Sequence, residues 1–319
     1  MTSEVLPEGQ PKEAPFHVKH SPRRQQFDRG EFDSGPVRTP LYEPRVSRET
    51  TAAFPKPAST RIIVIANQKG GVGKTTTAVN VAVGLALGGM DVLVVDMDPQ
   101  GNASTALGID HRPGIRGTYE VLIDGDDVAW HVVASPEAPT LKVLPATIDL
   151  AGAELELVSK EARERRLETA IDAYLAERPT DYVILDCPPS LGLLTVNALV
   201  AAREILIPIQ CEYYALEGVS QLARTIEIVS RGLNTRLEIS TVLLTMYDGR
   251  TRLSSQVADE VRRYFPTETL ATVIPRSVRV SEAPSYGQSV ITYHAGSAGA
   301  VAYLRVAEEI TQRAETRTA

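Results

Sequence analysis

Residues 67–80 read NQKGGVGKTTTAVN, a glycine-rich stretch from which the fold of the chain can be predicted. It follows a short apolar run, RIIVIA at 61–66. It leads into TTTAVNVAVGLALGG at 75–89, which has helical spacing and ends in a glycine pair typical of a helix C-cap. A strand, a glycine-rich loop and a helix in this order are the context of a phosphate-binding loop, or P-loop. The stretch therefore predicts an α/β domain that binds phosphate groups.

The chain beyond this stretch continues the alternation of strand and helix. Apolar, strand-like runs occur at DVLVVD (91–96), LKVLPA (141–146), YVILD (182–186), EILIPI (204–209), ISTVLLT (239–245) and TLATVIP (269–275). Helical runs between most of them are EARERRLETAIDAYLAE (161–177), LLTVNALVAA (193–202), LEGVSQLARTIEIVSRG (216–232), LSSQVADEVRRYF (253–265) and GAVAYLRVAEEI (299–310). Continuous apolar strands that alternate with helices form a mostly parallel sheet covered on both faces. We therefore predict one doubly wound α/β domain over residues 59–319.

Residues 1–58 differ in composition from this domain. They hold nine of the 21 prolines, nine Lys or Arg and eight Asp or Glu, with few large apolar side chains. Such a segment buries too little apolar surface to offset the entropy lost on ordering, so we predict a disordered tail. Its basic cluster HVKHSPRRQQ (17–26) is interpreted as part of a solvated linker, with a weak DNA or partner contact as the alternative.

The overall composition disfavours several classes of protein. The formal net charge of −7 argues against nucleic-acid binding unless a local basic patch exists. The two cysteines, Cys187 and Cys211, form no CxxC pair, so we expect buried reduced thiols and not a disulfide scaffold or a zinc site. No run of 18 apolar residues occurs and both ends of the chain are polar. We therefore predict no membrane span, no secretory signal and no membrane anchor.

The P-loop stretch supplies the residue types that phosphate binding requires. Glycines let successive backbone N–H groups point at phosphate oxygens, and the helix N-terminus adds a favourable potential. Lys74 is placed to neutralise the β- and γ-phosphates, and the Thr75 hydroxyl to ligate Mg²⁺. The stretch departs from the pattern GxxxxGK[ST] at the first glycine, where Gln68 stands.

A second lysine, Lys69, stands at the outer lip of this loop. Its own phosphate pocket is already served by Lys74. Lys69 is either an exposed loop lysine, or a cation that reaches a phosphate bound by a facing subunit, as an arginine finger supplied in trans does. The surrounding pattern KGGVGKT favours the second interpretation.

Three aspartates follow apolar strands at the edge where open α/β sheets bind ligands. Asp96 and Asp98 are two positions apart and face the same side, so both can approach one Mg²⁺–phosphate site. The alternative is that Asp98 only caps the turn Asp98–Gly101. Asp186 ends YVILD and matches a Walker B carboxylate that holds Mg²⁺, with capping of the next turn as the alternative.

Several stretches resemble one family. KGGVGKTT (69–76) resembles the deviant Walker A motif of the ParA/MinD family of dimeric P-loop ATPases. The stretches that resemble the later motifs of that family, and its chromosomal ParA (Soj-like) branch in particular, are VVDMDPQGNAS (94–104), YVILDCPPSLG (182–192), EYYALEG (212–218), LLTMYDGRT (243–251) and VIPRSVRVSEAPSYG (273–287). The resemblance covers nearly all of the predicted domain. It implies a SIMIBI-type P-loop NTPase fold and a cytoplasmic, nucleoid-associated ATPase that partitions chromosomes.

The resemblance also implies roles for individual residues. Asp98 orients or activates the attacking water, Asp96 holds Mg²⁺ through water, and Lys69 contacts the nucleotide of the partner subunit. ATP and Mg²⁺ are the implied cofactors, and ATP closes a homodimer that slow, partner-stimulated hydrolysis reopens. The implied nucleotide-binding residues are Lys69, Gly70, Gly71, Val72, Gly73, Lys74, Thr75 and Thr76, with Met246 and Pro275 near the adenine and Glu212 near the ribose across the dimer.

The family partners are non-specific double-stranded DNA and the centromere-binding protein ParB, whose N-terminal peptide stimulates hydrolysis. The candidate DNA-binding residues are Arg250, Arg252, Arg262, Arg263, Arg276 and Arg279. On one surface of the dimer they would form a basic stripe whose phosphate contacts weaken steeply with salt. The alternative is a set of solvated helix faces with local ion pairs to Asp259 and Glu260.

Three related proteins remain as alternatives. A MinD-like ATPase that cycles on membranes needs a C-terminal amphipathic anchor, which QRAETRTA (312–319) does not resemble. A nitrogenase iron-protein-like reductase needs a cysteine pair for an iron–sulfur cluster, and Cys187 beside Asp186 is in the wrong place. A plasmid ParA that represses its own operon carries an N-terminal helix-turn-helix, whereas residues 1–58 are proline-rich.

Overall fold

A seven-stranded sheet forms the centre of the computed structural model, which describes residues 53–212 and 217–318. Its strands are β1 (Arg61–Ile65), β2 (Val92–Asp96), β3 (Val133–Ala134), β4 (Leu141–Leu144), β5 (Tyr182–Asp186), β6 (Glu204–Gln210) and β7 (Glu238–Thr245). Their order across the sheet is β3-β4-β2-β5-β1-β6-β7. All neighbours are parallel except β3 and β4, which pair antiparallel at one edge.

The register of three central strands brings their carboxyl ends together. Ile65 of β1 aligns with Asp186 of β5, and Asp186 aligns with Asp96 of β2. The carboxyl ends of these three strands are called the carboxyl edge below. The P-loop, which follows β1, therefore lies at the same edge as both strand-ending aspartates.

Eleven helices are present in the described residues. They are α1 (Lys74–Leu87), α2 (Asn102–Ala106), α3 (Thr118–Ile123), α4 (Leu150–Leu157), α5 (Arg166–Glu177), α6 (Leu193–Ala201), α7 (Glu217–Gly232), α8 (Arg252–Tyr264), α9 (Val278–Glu282), α10 (Val290–Tyr293) and α11 (Ala298–Thr318). Two 3₁₀ turns add Val128–Trp130 and Ala283–Tyr286.

The sheet separates two hydrophobic cores. Ile63 and Ile65 of β1 point into a core built with α1, α2, α10 and α11. Ile62 and Val64 point into a second core built with α3 to α8. Successive residues of a strand face opposite sides, so one apolar strand serves both cores. The predicted doubly wound α/β fold is therefore confirmed.

Several predicted elements differ in detail. TLATVIP (269–275) forms only two isolated bridges, Thr269 to Val242 and Pro275 to Tyr247. Pro275 has no N–H to donate to a sheet. The helix predicted from residue 161 begins at Arg166, because Ala162 adopts a left-handed backbone with φ 48°. The short elements β3, α2, α3, α4, α9 and α10 were not predicted from the sequence.

The predicted disordered tail lies outside the described residues up to position 52. Residues 53–58, which the sequence analysis places in the tail, contact the domain. The Phe54 N–H donates to the Gly88 carbonyl at 3.0 Å. Lys56 Nζ lies 2.8 Å from Asp181 Oδ2 and 3.5 Å from Asp91 Oδ2. The packed part of the chain thus begins before residue 59, and the division into tail and domain stays a prediction.

Candidate active site

The P-loop adopts a backbone that only glycine takes up readily. Gly71 has φ 74° and Gly73, the N-cap of α1, has φ 90°. A Cβ added at either position would meet nothing within 4 Å, so the requirement is conformational and not one of space. Left-handed residues in the loop turn successive N–H groups toward one concavity, which suits an anion.

Two strands on the same side of β1, its neighbour β6 and the edge strand β7, hold this loop in place. The Asn67 side-chain amide donates to the Pro208 carbonyl of β6 at 2.8 Å, and Asn67 Oδ1 accepts from the Lys69 N–H at 3.0 Å. The Thr245 hydroxyl at the end of β7 donates to the Val72 carbonyl at 2.9 Å. The roles of Asn67 and Thr245 were not predicted from the sequence. Because these contacts fix the backbone of the loop to the sheet, the loop is preorganised.

Lys74 lies inside the loop. Its Nζ donates to the Lys69 carbonyl at 3.3 Å, and its side chain is buried. Burial lowers the pKa of the Lys74 ammonium, and the Asp186 carboxylate opposes that shift. Phosphate oxygens in the loop would also favour the charged form. Lys74 therefore lies where the sequence analysis expects it.

Asp186 is buried at the end of β5, and neither of its carboxylate oxygens has a hydrogen-bond partner of normal geometry in the described residues. Burial raises the pKa of Asp186 well above its usual value, the Asp96 carboxylate raises it further, and the nearby Thr75 hydroxyl opposes the shift. An unpaired buried carboxylate is costly unless a cation or a donor satisfies it. Asp186 thus fits the predicted metal ligand.

The donor set at this edge suits Mg²⁺ in particular. The described residues hold no cluster of three or more His, Cys, Asp or Glu that would form a metal cage of protein ligands. Mg²⁺ keeps several waters and takes one or two protein oxygens together with substrate phosphates. Asp186 and the Thr75 hydroxyl fit that pattern, whereas a zinc or iron site would need more protein ligands.

Asp96, the other predicted metal ligand, is fully buried and already engaged. Its Oδ2 accepts from the Ser104 N–H at 2.9 Å and from the Ser104 hydroxyl at 2.8 Å, and its Oδ1 accepts from the Asp98 N–H at 3.1 Å. Burial raises the pKa of Asp96 to about 6. These contacts hold Asp96 beside the loop that carries Asp98, and its role toward Mg²⁺ stays a prediction. The role of Ser104 was not predicted from the sequence.

Asp98 sits in a tight turn between β2 and α2. Its Oδ1 accepts from the Gln100 N–H at 3.0 Å, and its carbonyl accepts from the Gly101 N–H at 2.8 Å. Gly101 has φ 62°, and a Cβ there would lie 2.5 Å from His111. No described residue donates a hydrogen bond to Asp98 Oδ2. One oxygen thus fixes the turn, as the alternative interpretation holds, and the other remains available for a water.

Lys69 and Thr76 lie at the rim of the loop, both partly exposed. Within the described residues, Lys69 forms hydrogen bonds through its backbone. Its N–H donates to Asn67 and its carbonyl accepts from Lys74. The Lys69 ammonium has no hydrogen bond or ion pair with any described residue. It is therefore available to a group outside this chain.

The predicted base and ribose residues lie beyond the carboxyl ends of β6 and β7. Met246 follows β7 with a left-handed backbone, φ 51°, an unusual conformation for a non-glycine residue. Pro275 bridges to the next residue, Tyr247, so Met246 and Pro275 lie on neighbouring segments. Glu212 follows β6, but its Oε1 accepts from Arg276 Nη2 at 2.8 Å. The structure therefore pairs a predicted nucleotide residue with a predicted DNA residue.

Most of the six candidate DNA-binding arginines contact acidic residues. Arg250 is 88% exposed yet makes two hydrogen bonds to the Asp248 carboxylate, which lower the pKa of Asp248 to about 2. The other contacts are Arg262 with Asp259 at 3.9 Å, Arg263 Nε with the Asp259 carbonyl at 3.4 Å, Arg276 with Glu212 at 2.8 Å and Arg279 with Glu282 at 2.9 Å. Arg250 and Arg252 line one hollow at the start of α8. Of the ion pairs in the alternative interpretation, the one to Asp259 is present, whereas no ion pair to Glu260 occurs in the described residues. Arg250, Arg276 and Arg279 pair with acids that the alternative did not name, namely Asp248, Glu212 and Glu282.

Comparisons with known proteins agree with this geometry. A family model described as an AAA domain matches residues 60–239. The chain is 53% identical over 250 residues to the sporulation initiation inhibitor protein Soj of Bacillus subtilis, an alignment that covers 78% of this chain and 98% of that protein. It is 51% identical over 259 residues to the chromosome partitioning protein ParA of Caulobacter vibrioides. That alignment covers 81% of this chain and 97% of that protein.

A solved structure extends the comparison to three dimensions. The crystal structure of cobyrinic acid a,c-diamide synthase from Mycobacterium smegmatis with bound ADP and magnesium superposes with a TM-score of 0.70. That protein is 37% identical to this chain, and the match covers 81% of this chain and 96% of that chain. Identity to Soj of Bacillus subtilis and to ParA of Caulobacter vibrioides is higher.

Proposed function

Because the chain belongs to the ParA/Soj family of chromosome-partitioning ATPases, we propose that it acts as a nucleotide-controlled switch in chromosome segregation. It hydrolyses ATP to ADP and phosphate with Mg²⁺ as cofactor. In the proposed cycle, ATP closes two chains into a sandwich dimer, the dimer binds duplex DNA without sequence preference, and a ParB-type partner accelerates hydrolysis and release.

Hydrolysis at this site relies on positioning and charge stabilisation. Lys74 neutralises the terminal phosphates from inside the loop. Thr75 and Asp186 would hold Mg²⁺, which spreads the charge that develops on the phosphate oxygens. Asp98 orients the attacking water through its free oxygen, and Asp96 holds the Asp98 turn in place.

Dimerisation is proposed from Lys69. Its ammonium is partly exposed and unpaired within the described residues, at the lip of a pocket that Lys74 already serves. A second chain that faces the carboxyl edge would receive this charge at its own phosphates. ATP bound between the chains would then stabilise the dimer, and its hydrolysis would separate the chains.

DNA binding is proposed from the arginines that follow β7. The exposed pairs such as Arg250–Asp248 are weak in water, so phosphates can compete for the guanidinium groups. In a dimer, two such surfaces would bind one duplex together, which raises the apparent affinity. This activity would associate the protein with the nucleoid.

The observation that carries the proposal is the buried Asp186 carboxylate, which has no hydrogen-bond partner of normal geometry in the described residues although it lies beside a preorganised P-loop. A cation and phosphate groups complete such a site. The test is DNA retention by the full chain with Mg²⁺–ATP, with Mg²⁺–ADP and without nucleotide, at low and moderate salt. We expect retention with ATP only, falling steeply with salt. Asp98→Ala should remain DNA-bound after ATP addition because it hydrolyses poorly.

Equal DNA retention in all three nucleotide states would overturn the switch. Retention that does not change with salt would overturn the phosphate-contact model. Normal turnover by Asp98→Ala would remove Asp98 from the mechanism.

A MinD-like membrane cycle is the alternative function. Among the helices that the structure describes, none combines the length and the apolar character of a membrane span. Sedimentation with anionic liposomes in the presence of ATP distinguishes the two proposals, since only the membrane cycle predicts that the protein pellets.

A further inference from the structure

Helix α4 is apolar on both faces. Its inner residues Leu150, Ala153 and Leu157 are fully buried in the core. Its outer side carries an apolar row that begins just before the helix and is called the α4 stripe. The stripe consists of Ile148, Ala151, Leu155 and Val158. The exposed fractions of Ile148, Leu155 and Val158 are 52%, 81% and 57%.

This outer face is unlike that of α8, a helix on the same side of the sheet. α8 buries Val257 and Val261 and exposes charged residues, including Glu260 and Arg263. A helix that is apolar all round is normally covered on both sides. A contiguous apolar row on the surface marks an interaction site. The α4 stripe therefore indicates that another segment or another protein covers this face.

The stripe begins beside the proposed catalytic turn. Ile148 lines a hollow of about 540 Å³ together with Pro99 and Gln100, the residues that follow Asp98. On the other side, Glu154 of α4 lies against Gly192, and the preceding Leu191, in the loop after Asp186, is 38% exposed. An occupant of the stripe would thus contact the segments that carry both Asp98 and Asp186.

The charge around the stripe defines the chemistry of that occupant. Asp149, Glu154 and Glu156 flank the apolar row, and α4 itself contains no basic residue. Arg163, which donates to the Val158 carbonyl at 3.2 Å, is already paired with Glu164 at 2.8 Å. Glu154 Oε1 is buried without a hydrogen-bond partner in the described residues. Asp149 and Glu156 are exposed, and the Glu156 carboxylate accepts a hydrogen bond from the Tyr119 hydroxyl at 2.9 Å. An amphipathic segment with basic residues beside its apolar face would satisfy both the row and the carboxylates.

We infer that the α4 stripe docks a basic, amphipathic helical segment of the partner protein that stimulates hydrolysis. The inference rests on the proposed function, because it locates the contact of that partner. The docked segment would accelerate hydrolysis by contacting, and so positioning, the Asp98 turn and the loop after Asp186.

Two other occupants fit less well. A second copy that faces the carboxyl edge would meet Lys69 and Asp98. Leu155 and Val158 lie beyond Ile148 along the axis of α4, by about 10 and about 15 Å. DNA is repelled by the flanking carboxylates. In the strand order, β4, which precedes the stripe, and β7, which precedes the candidate DNA arginines, lie toward opposite ends of the sheet. Partner and DNA would therefore not compete.

The test compares partner-stimulated hydrolysis in the full chain, in Leu155→Asp and Val158→Asp, and in the control Leu87→Asp. The probe is the full-length ParB-type protein from the same organism. Leu87 is also exposed, at 48%, but lies at the end of α1 on the other side of the sheet. The partner concentration for half-maximal stimulation should rise about tenfold or more in the two stripe variants, from lost apolar contact and added repulsion. It should not change in the control.

A second measurement does not depend on hydrolysis. The two native cysteines are buried, so a fluorophore can be attached selectively to Leu155→Cys, with Leu87→Cys as the control. Addition of the partner with ATP should change the emission of the label at position 155 only.

The outcomes separate the two proposals. If the unsubstituted chain is not stimulated, the partner step of the proposed function fails. If it is stimulated and the stripe variants respond equally well, the docking site alone fails. If Leu155→Asp loses ATP-induced dimerisation, a second copy covers the stripe and the inference is overturned.

Discussion

At the residue scale, the most informative side chain is the carboxylate of Asp186. Asp186 is completely buried, and its two carboxylate oxygens accept no hydrogen bond of normal geometry in the described part of the chain. A buried carboxylate of this kind is costly, and it lies where a cation would be bound. The proposed activity therefore requires a carboxylate at this position, whereas the stability of the fold is lowered by it.

Asp186→Asn tests this conflict. At neutral pH the variant should be more stable than the unsubstituted chain by about 1–2 kcal/mol without nucleotide, because a buried unpaired charge is removed. Because the pKa of Asp186 is raised, its carboxylate becomes neutral as the pH falls, and the difference should shrink toward acid pH. Chemical denaturation measures it, and lower stability of the variant at neutral pH would contradict the interpretation. Its Mg²⁺-dependent ATP binding should be lost.

Ser104 is the second informative residue, since it reaches the proposed catalytic turn through Asp96. Ser104→Ala removes the hydroxyl that donates to Asp96 Oδ2 at 2.8 Å. The rate of ATP hydrolysis should fall about tenfold, from the loss of one hydrogen bond to a buried carboxylate, while ATP affinity stays unchanged.

The matched control is Ser135→Ala, since Ser135 is also buried but donates to Leu107. Turnover and ATP affinity are measured for both variants, with melting temperature as a check on folding. A loss of Mg²⁺ affinity in Ser104→Ala, with its rate unchanged at saturating metal, would return Asp96 to the role of metal ligand.

At the element scale, the P-loop depends on strands far away in the sequence. Thr245 at the end of β7 bonds to Val72 of the loop. Thr245→Val keeps the shape of the side chain but leaves the Val72 carbonyl unpaired, at a cost of about 1–2 kcal/mol. Affinity for an ATP analogue should fall about five- to thirtyfold, as measured by calorimetry.

Thr241→Val on the same strand is the control, because its hydroxyl is also buried but bonds to Ser240 and not to the P-loop. Equal affinities of the two variants for the analogue would show that the β7 contact does not shape the loop.

Much of the fold was predictable from local pattern. Apolar strands, a glycine-rich loop and amphipathic helices specify a doubly wound sheet, and Lys74, Thr75 and Asp186 follow from their positions after strands. The roles of Asn67, Ser104 and Thr245 were not predictable, because each polar side chain acts on a segment that only the folded sheet brings near. The apolar outer face of α4 was missed because the helix itself was not predicted.

At the scale of the whole molecule, the decisive question is how two copies meet. Lys69→Ala removes an ammonium that has no partner in the described residues of its own chain. The variant should fold normally and keep measurable ATP affinity through Lys74, but it should lose ATP-induced dimerisation. Light scattering with ATP in a hydrolysis-deficient Asp98→Ala background checks this. A dimer of normal stability would exclude the contribution in trans.

The attachment of the amino-terminal segment has a practical consequence. Phe54 and Lys56 are held next to Gly88, Asp91 and Asp181, at the starts of β2 and β5 and thus at the opposite edge of the sheet from Asp96 and Asp186. A chain immobilised on a bead or a sensor chip through a label at the exposed position 53 would therefore present its reactive side outward. Such a tether would allow a second molecule from solution to be captured and let go while the first stays anchored.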